Sequence, residues 1–266
     1  MSQRAFRLPV LLGLLGLILL FFNKMAFSNL ILARGDTYLY FYPYWQAAAD
    51  ALQSGRLPLW NPEIFMGAPF LANSQIGFFY PLNWPVWWLL STPYAVSASI
   101  LIHLFIAAWG AYLTGQRTLH LGPLAGLLAA SLFALGGYLT AQVEHVNQLQ
   151  GLAWLPWYFV VMAPIMGESN QRAGIRSLLK IPLWIAILVT LQMLAGHTQT
   201  VFISGVSIVV WSLVSVVGKE TPVRGGIRLA IVLAAGFGLA VALAAVQLLS
   251  IAPSLPAPMP PGSTSA

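Results

Sequence analysis

Residues 34–82, RGDTYLYFYPYWQAAADALQSGRLPLWNPEIFMGAPFLANSQIGFFYPL, form the longest part of this chain that is neither a clean apolar run nor a short connector. Three of the six acidic residues lie in this segment, Asp36, Asp50 and Glu63, among many aromatic, Pro and Asn residues. A long loop inside a compact protein is usually functional or disordered, and a high aromatic content argues against disorder. The segment is therefore predicted to be an ordered loop that forms the working surface of the protein.

The composition indicates an integral membrane protein. Of the 266 residues, 59% are hydrophobic and only 7% are charged, whereas about 25% of the residues in a soluble domain are charged. So few charges cannot cover a water-facing surface. The absence of cysteine excludes disulfides and thiolate metal sites. The net charge of +6 does not indicate nucleic-acid binding, because the basic residues lie in short connectors between apolar runs.

The apolar runs predict an all-α polytopic protein with about seven membrane-spanning helices. The predicted spans are residues 8–22 (continuing raggedly toward Leu32), 96–113, 123–139, 152–166, 181–196, 201–217 and 227–249. Several are shorter than the roughly 20 residues that cross the hydrocarbon, so their ends must extend into polar flanks. No small-residue cleavage site follows the first run, so we expect a retained span rather than a signal peptide. Residues 84–90 are too short to cross and are rich in Trp, which favours the membrane interface.

Basic residues predict the orientation of these spans. With Arg4 and Arg7 in the cytoplasm, the connectors 116–122, 167–180 and 218–228 are also cytoplasmic, and each contains Arg or Lys. The opposite connectors 140–151 and 197–200 contain no Lys or Arg. The segment 34–82 contains Arg34 and Arg56, but long loops translocate largely regardless of charge.

A single transmembrane domain is therefore predicted over residues 1–252, with its N-terminus in the cytoplasm. Residues 34–82 form its first external loop and contain amphipathic interfacial helices. The Pro-rich residues 253–266 are predicted to be an extended, disordered tail.

On this topology the polar side chains gather on the extracytoplasmic side. They are Asp36, Glu63, Gln75, Glu144, His145, Asn147, Gln148, His197, Gln199 and Gln247. Such a cluster under an aromatic loop suits a lipid-borne polar substrate, because the lipid tail stays among the helices while the head group meets acid and amide groups.

Asp36 has two interpretations that do not exclude one another. As the residue before a helix, its carboxylate is suited to cap that helix by accepting backbone N–H bonds, and spacing alone favours this role. As an acid facing a substrate, it is suited to act as a general base on an acceptor hydroxyl. The helix that follows is predicted to place one set of residues on a single face: Tyr38, Phe41, Trp45, Ala49 and Leu52.

The remaining candidates also have plain structural interpretations. Glu63 follows an Asn-Pro turn signal, and a solvated loop acid is the simpler expectation. His197 and Gln199 fit a tight turn between helices equally well. Inside the second span, His103 is either functional or a neutral imidazole bonded to a carbonyl of a neighbouring helix.

Several motifs are missing from the sequence. Glu144 and His145 are adjacent and cannot share one helical face, and nothing has the spacing of a zinc site, so no metal ligands are predicted. No phosphate-binding Gly loop, nucleophile elbow or dinucleotide fingerprint is found. A soluble nucleotide donor and ATP-driven transport are therefore disfavoured.

A series of short motifs resembles a known family. The motifs are GDT at 35–37, YFYPYW at 40–45, GRLPLWNP at 55–62, FMGAP at 65–69, QIGFFYPLN at 75–83, GY at 137–138, EH at 144–145, LPW at 155–157, GHTQ at 196–199 and AVQLL at 245–249. In this order they resemble the bacterial YfhO-type membrane proteins, from the first span to about Leu249. That family is similar to the GT-C glycosyltransferases, which use polyprenyl-phosphate sugars at the outer face of the membrane.

The resemblance implies a function and a set of site residues. It implies a bacterial cytoplasmic-membrane enzyme that transfers a sugar from a polyprenyl-phosphate donor to an envelope polymer or protein, surrounded by membrane lipids and without nucleic acid. Asp36 lies where those enzymes carry a catalytic acid. The expected substrate-binding residues are Arg34, Tyr40, Tyr44, Arg56, Trp60, Asn61, Glu63, Gln75, Glu144, His145, His197 and Gln199. The leaving lipid phosphate needs a cationic partner, for which Arg34, Arg56 or a divalent cation are the candidates.

Family members are usually longer and have further spans, so the chain is expected to correspond to the N-terminal half of such an enzyme. Two alternatives come from other classes. A transporter or flippase for a lipid-linked or small polar substrate would need broken helices and midplane polar groups. A non-catalytic membrane scaffold would use the aromatic loop for docking.

Overall fold

The computed structural model of the protein describes residues 7–63, 66–166, 175–216 and 222–251. Almost all of the regular structure in these ranges is helical. The helices are α1 (Arg7–Phe21), α2 (Asn23–Phe27), α3 (Tyr42–Gln53), α4 (Asn83–Leu89), α5 (Thr92–Arg117), α6 (Pro123–Leu135), α7 (Gly137–Ala141), α8 (Val146–Leu152), α9 (Leu155–Met166), α10 (Ile175–Leu194), α11 (Thr198–Val216), α12 (Pro222–Leu243) and α13 (Ala245–Ile251). Strands β1 (Trp60–Asn61) and β2 (Ala68–Pro69) pair antiparallel as one short hairpin. The predicted tail lies outside the described residues.

Four helical stretches are long and apolar enough to cross a membrane: Thr92–Arg117, Pro123–Glu144, Thr198–Ser215 and Gly226–Leu243. They coincide with the second, third, sixth and seventh predicted spans. The apolar helices Leu8–Phe21 and Leu179–Leu194 are shorter, and α9 has 12 residues. The architecture is that of an all-α membrane protein.

Helix α5 is the centre of the larger packing unit. It contacts α1, α4, α6, α8 and α9, and its buried face is rich in small residues, including Ala107, Ala108 and Gly110. Small residues let neighbouring backbones approach closely within a membrane. At Gly110 this space is filled by Trp157 of α9, whose Nε1 donates to the carbonyl of Ile106 at 3.0 Å.

Helices α9 to α12 form a second packed group around a core that includes Tyr158, Ile185 and Val232. The most extensive pairing in this group joins α10 to α12. Their outer faces expose large apolar side chains, such as Leu213 and Ile231, which are 63% and 63% accessible. In a bilayer such side chains meet lipid instead of water, so their exposure carries no penalty there.

In its described residues, 34–63 and 66–82, the long loop contains short helical and strand elements. A π-helical turn over Thr37–Phe41 runs directly into α3 and buries Phe41 and Trp45. The predicted helical face is wrong at its first member, because Tyr38 is 54% exposed. The reason is the wider π-helical turn, whose bonds join residues five apart and which therefore shifts Tyr38 out of line with α3.

Side-chain hydrogen bonds tie the parts of this loop together and attach it to the neighbouring helices. Trp45 Nε1 donates to the carbonyl of Ile76 at 3.2 Å, and Gln53 Nε2 donates to the carbonyl of Trp87 in α4 at 3.0 Å. From α13, Gln247 Nε2 donates to the carbonyl of Leu71 at 3.1 Å. The loop is therefore held at both its helical and its extended parts.

A buried polar network accounts for His103. Its Nδ1 lies 2.7 Å from the carbonyl of Ser99 and its Nε2 lies 2.7 Å from the hydroxyl of Tyr80. A carbonyl only accepts, so Nδ1 carries the proton and Nε2 accepts from Tyr80. Trp154 Nε1 donates to that same hydroxyl at 2.9 Å. His103 thus fits the structural interpretation, although its carbonyl partner lies on its own helix and not on a neighbour.

Candidate functional site

Two polar segments meet on one side of the helices, the one that precedes α3 and the one that precedes α8. Arg34 Nε lies 2.6 Å from Glu144 Oε1, and His145 Nε2 lies 3.5 Å from Asp36 Oδ2. Between these pairs the buried hydroxyl of Thr37 lies 3.3 Å from the carbonyl of Glu144 and donates to this segment. The sequence predicts all four charged or ionisable residues but not the role of Thr37, which holds the two segments together.

Gly35 permits this close approach. Its φ is +48°, and a Cβ at this position would collide with the Glu144 carboxylate. Any other residue would therefore have to move Glu144 away and weaken its ion pair with Arg34. The GDT motif thus encodes a close contact at its first position, the candidate acid at its second and a buried anchor at its third.

The Asp36 carboxylate does not cap the helix that follows. Asp36 occupies the position before the π-helical turn, but its side chain makes no capping hydrogen bond. The capping interpretation is therefore wrong. The carboxylate is 59% exposed, and His145 is its only ion-pair partner among the residues that the structure describes. It is free to accept a proton from a molecule that approaches from outside.

The turn between α10 and α11 brings a second imidazole to the site. Burial lowers the pKa of His197 below its ordinary value, and the nearby imidazole of His145 lowers this pKa further. Within the described part of the chain, Gln142 Oε1, His145 Nδ1 and His197 Nδ1 are buried and have no hydrogen-bond partner. Buried polar atoms are usually paired, so these three atoms mark the place where a polar group can bind.

Tyr40 and Tyr44 differ in their surroundings. Tyr40 donates its hydroxyl to Asn73 Oδ1 at 2.9 Å. Burial raises the pKa of Tyr40, and the charges of Tyr44 and Asp36 raise it by smaller amounts, so this phenol is neutral and lies within electrostatic range of Asp36. Tyr44 is only 8% exposed and packs against Phe70. Tyr40 therefore belongs to the candidate site, whereas Tyr44 supports it from the core.

Gln75 and Gln199 lie at the His197 turn with exposed side chains. The segment that contains Gln75 packs directly on Gly196, whose hypothetical Cβ would lie 2.9 Å from the Gln75 Cα. Gln199 lies in the first turn of α11. Both residues are thus placed near the imidazole pair, although neither makes a side-chain hydrogen bond within the described ranges.

An apolar groove of about 370 Å³ adjoins the Asp36 cluster. Its lining residues are Phe21, Phe22, Asn23, Lys24, Met25, Leu30, Ile31, Leu32 and Val143. Val143 immediately precedes Glu144, so the groove and the charged pairs share one segment. Lys24 is the cation of this groove, and sequence reasoning missed it. Its signal is a lone Lys between two apolar runs at the end of the first span.

The structure separates four of the predicted substrate-binding residues from Asp36. Arg56, Trp60, Asn61 and Glu63 line a different cleft of about 570 Å³. This cleft runs along α3 from Pro43 to Ala51 and is completed by the hairpin, whereas Asp36 precedes the helical run. Asp36 and Gln53, the last residue of α3, are 17 positions apart along this helical run, which corresponds to roughly 25 Å at 1.5 Å per residue, and Arg56 follows that end. Arg56 is therefore not a phosphate partner beside Asp36.

The Asp36 cluster offers few protein ligands for a divalent cation. In the described ranges no group of three or more His, Asp or Glu residues is arranged to hold a metal ion. Asp36 and His145 supply two donors, and a hard cation bound there would take its remaining ligands from water or a substrate phosphate. The cationic groups near the site are Arg34 and Lys24.

The site thus combines a free carboxylate, two imidazoles, a neutral phenol, an arginine and an apolar groove. Such a set can accept a proton, bind an anionic head group and shelter an apolar chain. Comparison of the chain with protein-family models, curated proteins and solved structures finds no match.

Proposed function

We propose that this chain is a membrane glycosyltransferase of the YfhO type, related to the GT-C enzymes, or the N-terminal part of one. It transfers a sugar from a polyprenyl-phosphate donor to an extracytoplasmic acceptor, such as an envelope glycopolymer. The resemblance in motif order motivates the reaction class. The observation that carries the proposal is the Asp36 carboxylate, which is free of capping, paired with His145 and adjacent to an apolar groove.

The proposed topology has seven spans in the bacterial cytoplasmic membrane, with the N-terminus in the cytoplasm. Helices α1 and α9 alone are shorter than a bilayer, but each has a neighbour that extends it. Residues 7–27 of α1 and α2, and residues 146–166 of α8 and α9, each cover about 30 Å at 1.5 Å per residue. Basic connectors on one side support the orientation.

In this proposal the donor lipid lies along the groove and its phosphate meets the cations beside it. Lys24 is exposed in the groove lining. Arg34 is 79% exposed although Glu144 holds its Nε, so most of its guanidinium remains available to a phosphate. Arginine suits this role because its planar fork can bind phosphate oxygens bidentately.

The proposed reaction is a direct displacement at the anomeric carbon. Asp36 takes the proton of the acceptor hydroxyl, and that oxygen forms the new bond to the anomeric carbon. The bond from the anomeric carbon to the phosphate oxygen breaks, and its electron pair leaves with the lipid phosphate. Arg34 stabilises the charge that develops on the leaving group, whereas Lys24 binds the donor phosphate equally before and during the reaction. His145 orients the carboxylate of Asp36.

The test is Asp36→Asn in the full chain, reconstituted in liposomes with a radiolabelled undecaprenyl-phosphate hexose and a cell-envelope fraction as acceptor. Loss of a general base lowers transfer by about 10²–10⁴-fold. The matched control is Glu168→Gln, which makes the same carboxylate-to-amide change in a connector that the sequence predicts to be cytoplasmic. Transfer by Asp36→Asn at the wild-type rate would remove Asp36 from the reaction. Absence of transfer by the wild-type chain with every lipid-linked hexose would refute transfer by this chain on its own.

A further inference from the structure

The second cleft of the loop, lined by α3 and by the β1–β2 hairpin, has a composition suited to sugars. We propose that this hairpin cleft binds the acceptor as a neutral, polyhydroxylated glycan chain, whose growing end reaches Asp36. The inference rests on the proposed function and adds the chemical class of the acceptor. Its volume of about 570 Å³ lies within the range of small-molecule and oligomer subsites.

An exposed indole forms one wall of the hairpin cleft. Trp60 in β1 is 58% exposed, and its ring lies against Gly67, where a Cβ would fall 2.6 Å from Trp60 Cζ2. The ring is thus supported on one side and open on the other. An open aromatic face of this kind offers a flat apolar surface for the C–H face of a pyranose ring, while the surrounding polar groups meet its hydroxyls.

The opposite wall presents an oriented carboxylate. Gln46 Nε2 donates to Asp50 Oδ1 at 2.8 Å, and Gln46 Oε1 accepts from the hydroxyl of Thr92 at 2.6 Å. Both ends of the Gln46 amide are therefore occupied, so the amide holds Asp50 in place against the start of α5. The second carboxylate oxygen of Asp50 remains available to a ligand hydroxyl.

The hairpin supplies the other hydrogen-bonding groups. Asn61 Oδ1 accepts from the backbone N–H of Glu63 at 2.9 Å and fixes the turn that carries Glu63. Arg56 Nε donates to Ser54 Oγ at 3.2 Å. Among the residues that the structure describes, neither Glu63 nor Arg56 takes part in an ion pair. Carboxylates accept from hydroxyls and the guanidinium donates to them, so both kinds of sugar hydrogen bond are provided.

The charge of the hairpin cleft distinguishes between classes of polymer. Two carboxylates and one guanidinium give it a net charge of −1. A polyphosphate-linked polymer would be repelled by this charge, whereas a neutral glycan would not. The cleft extends along α3 from Pro43, seven positions after Asp36, to Ala51, so an acceptor of several linked units can occupy the cleft and reach Asp36.

Binding is tested with the full chain in nanodiscs, without donor, by saturation-transfer NMR and by titration. The probes are the neutral tetrasaccharides maltotetraose and chitotetraose, and poly(glycerol phosphate) as the anionic probe. We expect a neutral tetrasaccharide to bind and Glu63→Gln to raise its Kd about tenfold, the effect of losing one hydrogen bond to a charged group. Trp60→Leu is expected to weaken binding as well. Glu168→Gln is the control and is expected to leave Kd unchanged.

Three outcomes would overturn the inference: no binding of either tetrasaccharide, equal Kd values in wild type and Glu63→Gln, or preferential binding of poly(glycerol phosphate). Because the measurement requires no donor and no turnover, it separates the two proposals. A chain that transfers sugar but binds neither tetrasaccharide refutes only the hairpin cleft. A chain that binds them through Glu63 but transfers no sugar refutes only the glycosyltransferase.

Discussion

Gly196 is the position at which the long loop is most sensitive to a single methyl group. It lies in the turn between α10 and α11 with a φ of +88°. A Cβ there would lie 2.5 Å from the carbonyl carbon of Ser74 and 2.9 Å from the Cα of Gln75. Gly196→Ala therefore tests directly whether the loop docks on this turn as the structure has it.

The size of the effect follows from two costs. A left-handed backbone costs a residue other than glycine about 1–2 kcal/mol. Carbon atoms in ordinary contact are about 3.5–4.0 Å apart, so the loop and the turn must separate by about 1 Å. The obstacle is backbone and not the end of a flexible side chain, so it cannot rotate away. We expect a total loss of about 2–3 kcal/mol, which corresponds to a fall in Tm of about 4–12 °C.

The assay is thermal unfolding of the purified protein in detergent, followed by intrinsic tryptophan fluorescence. Gly238→Ala in α12 is the matched control, because nothing lies within 4 Å of its hypothetical Cβ, and alanine is favoured in a helix by about 0.5–1 kcal/mol. Gly196→Ala should also reduce sugar transfer, since the same turn carries His197. Equal Tm values for Gly196→Ala and Gly238→Ala would show that the loop does not pack on this turn.

Three further predictions concern pH, the lipid groove and topology. Burial and the neighbouring imidazole of His145 lower the pKa of His197 in the folded protein, so the unfolded chain binds a proton at this residue more readily. The contribution of neutral His197 to the free energy of unfolding is therefore fully present above pH 6.5 and is lost as the pH falls below that value. His197→Gln should flatten that decline in a Tm-versus-pH series, and an unchanged slope would contradict the assignment. Lys24→Gln should raise the KM for the lipid-linked donor about fivefold, or ~1 kcal/mol, without changing kcat. The control variant Lys180→Gln should leave both KM and kcat unchanged. A fall in kcat alone in Lys24→Gln would exclude a role of Lys24 in donor binding. The chain has no cysteine, so single introduced cysteines can be labelled selectively. Ser54→Cys should react with an impermeant maleimide only from outside the cell, and Leu119→Cys only from inside. Labelling of one position from both sides would favour the transporter alternative.

Hydrophobicity and residue spacing in the sequence were sufficient to predict several features of this fold. The apolar runs and the shortage of charge indicate membrane helices, because no other regular structure leaves so little polar surface to hydrate. Aromatic residues of the long loop were expected to need a core in which to be buried. The burial of Phe41 and Trp45 follows from helical spacing. Tyr38 departs from that spacing because hydrogen bonding in the π-helical turn is a property of the folded backbone.

The candidate site was only partly predictable. Asp36, Glu144 and His197 are distant in sequence, and topology alone suggested that they share one side of the membrane. Their actual association depends on Thr37, whose hydroxyl reaches a carbonyl 107 residues away, and on the absence of a side chain at Gly35. No spacing rule in the sequence encodes such contacts.

The division of the long loop into two sites could not be inferred from the sequence at all. Asp36, Arg56 and Glu63 lie within one short segment and look like members of one cluster. The helical run places Asp36 before its start and Arg56 after its end, and Arg56 and Glu63 line a cleft whose lining does not include Asp36.

Hydrophobicity, charge distribution and residue spacing are properties of the chain itself, and they determine that it is a helical membrane protein. Which polar groups meet is decided by the tertiary structure, because an ion pair or a shared groove depends on distances between segments that only packing sets. The pairing of Asp36 with His145, the placement of Lys24 beside an apolar groove and the separate hairpin cleft are therefore results of the folded structure.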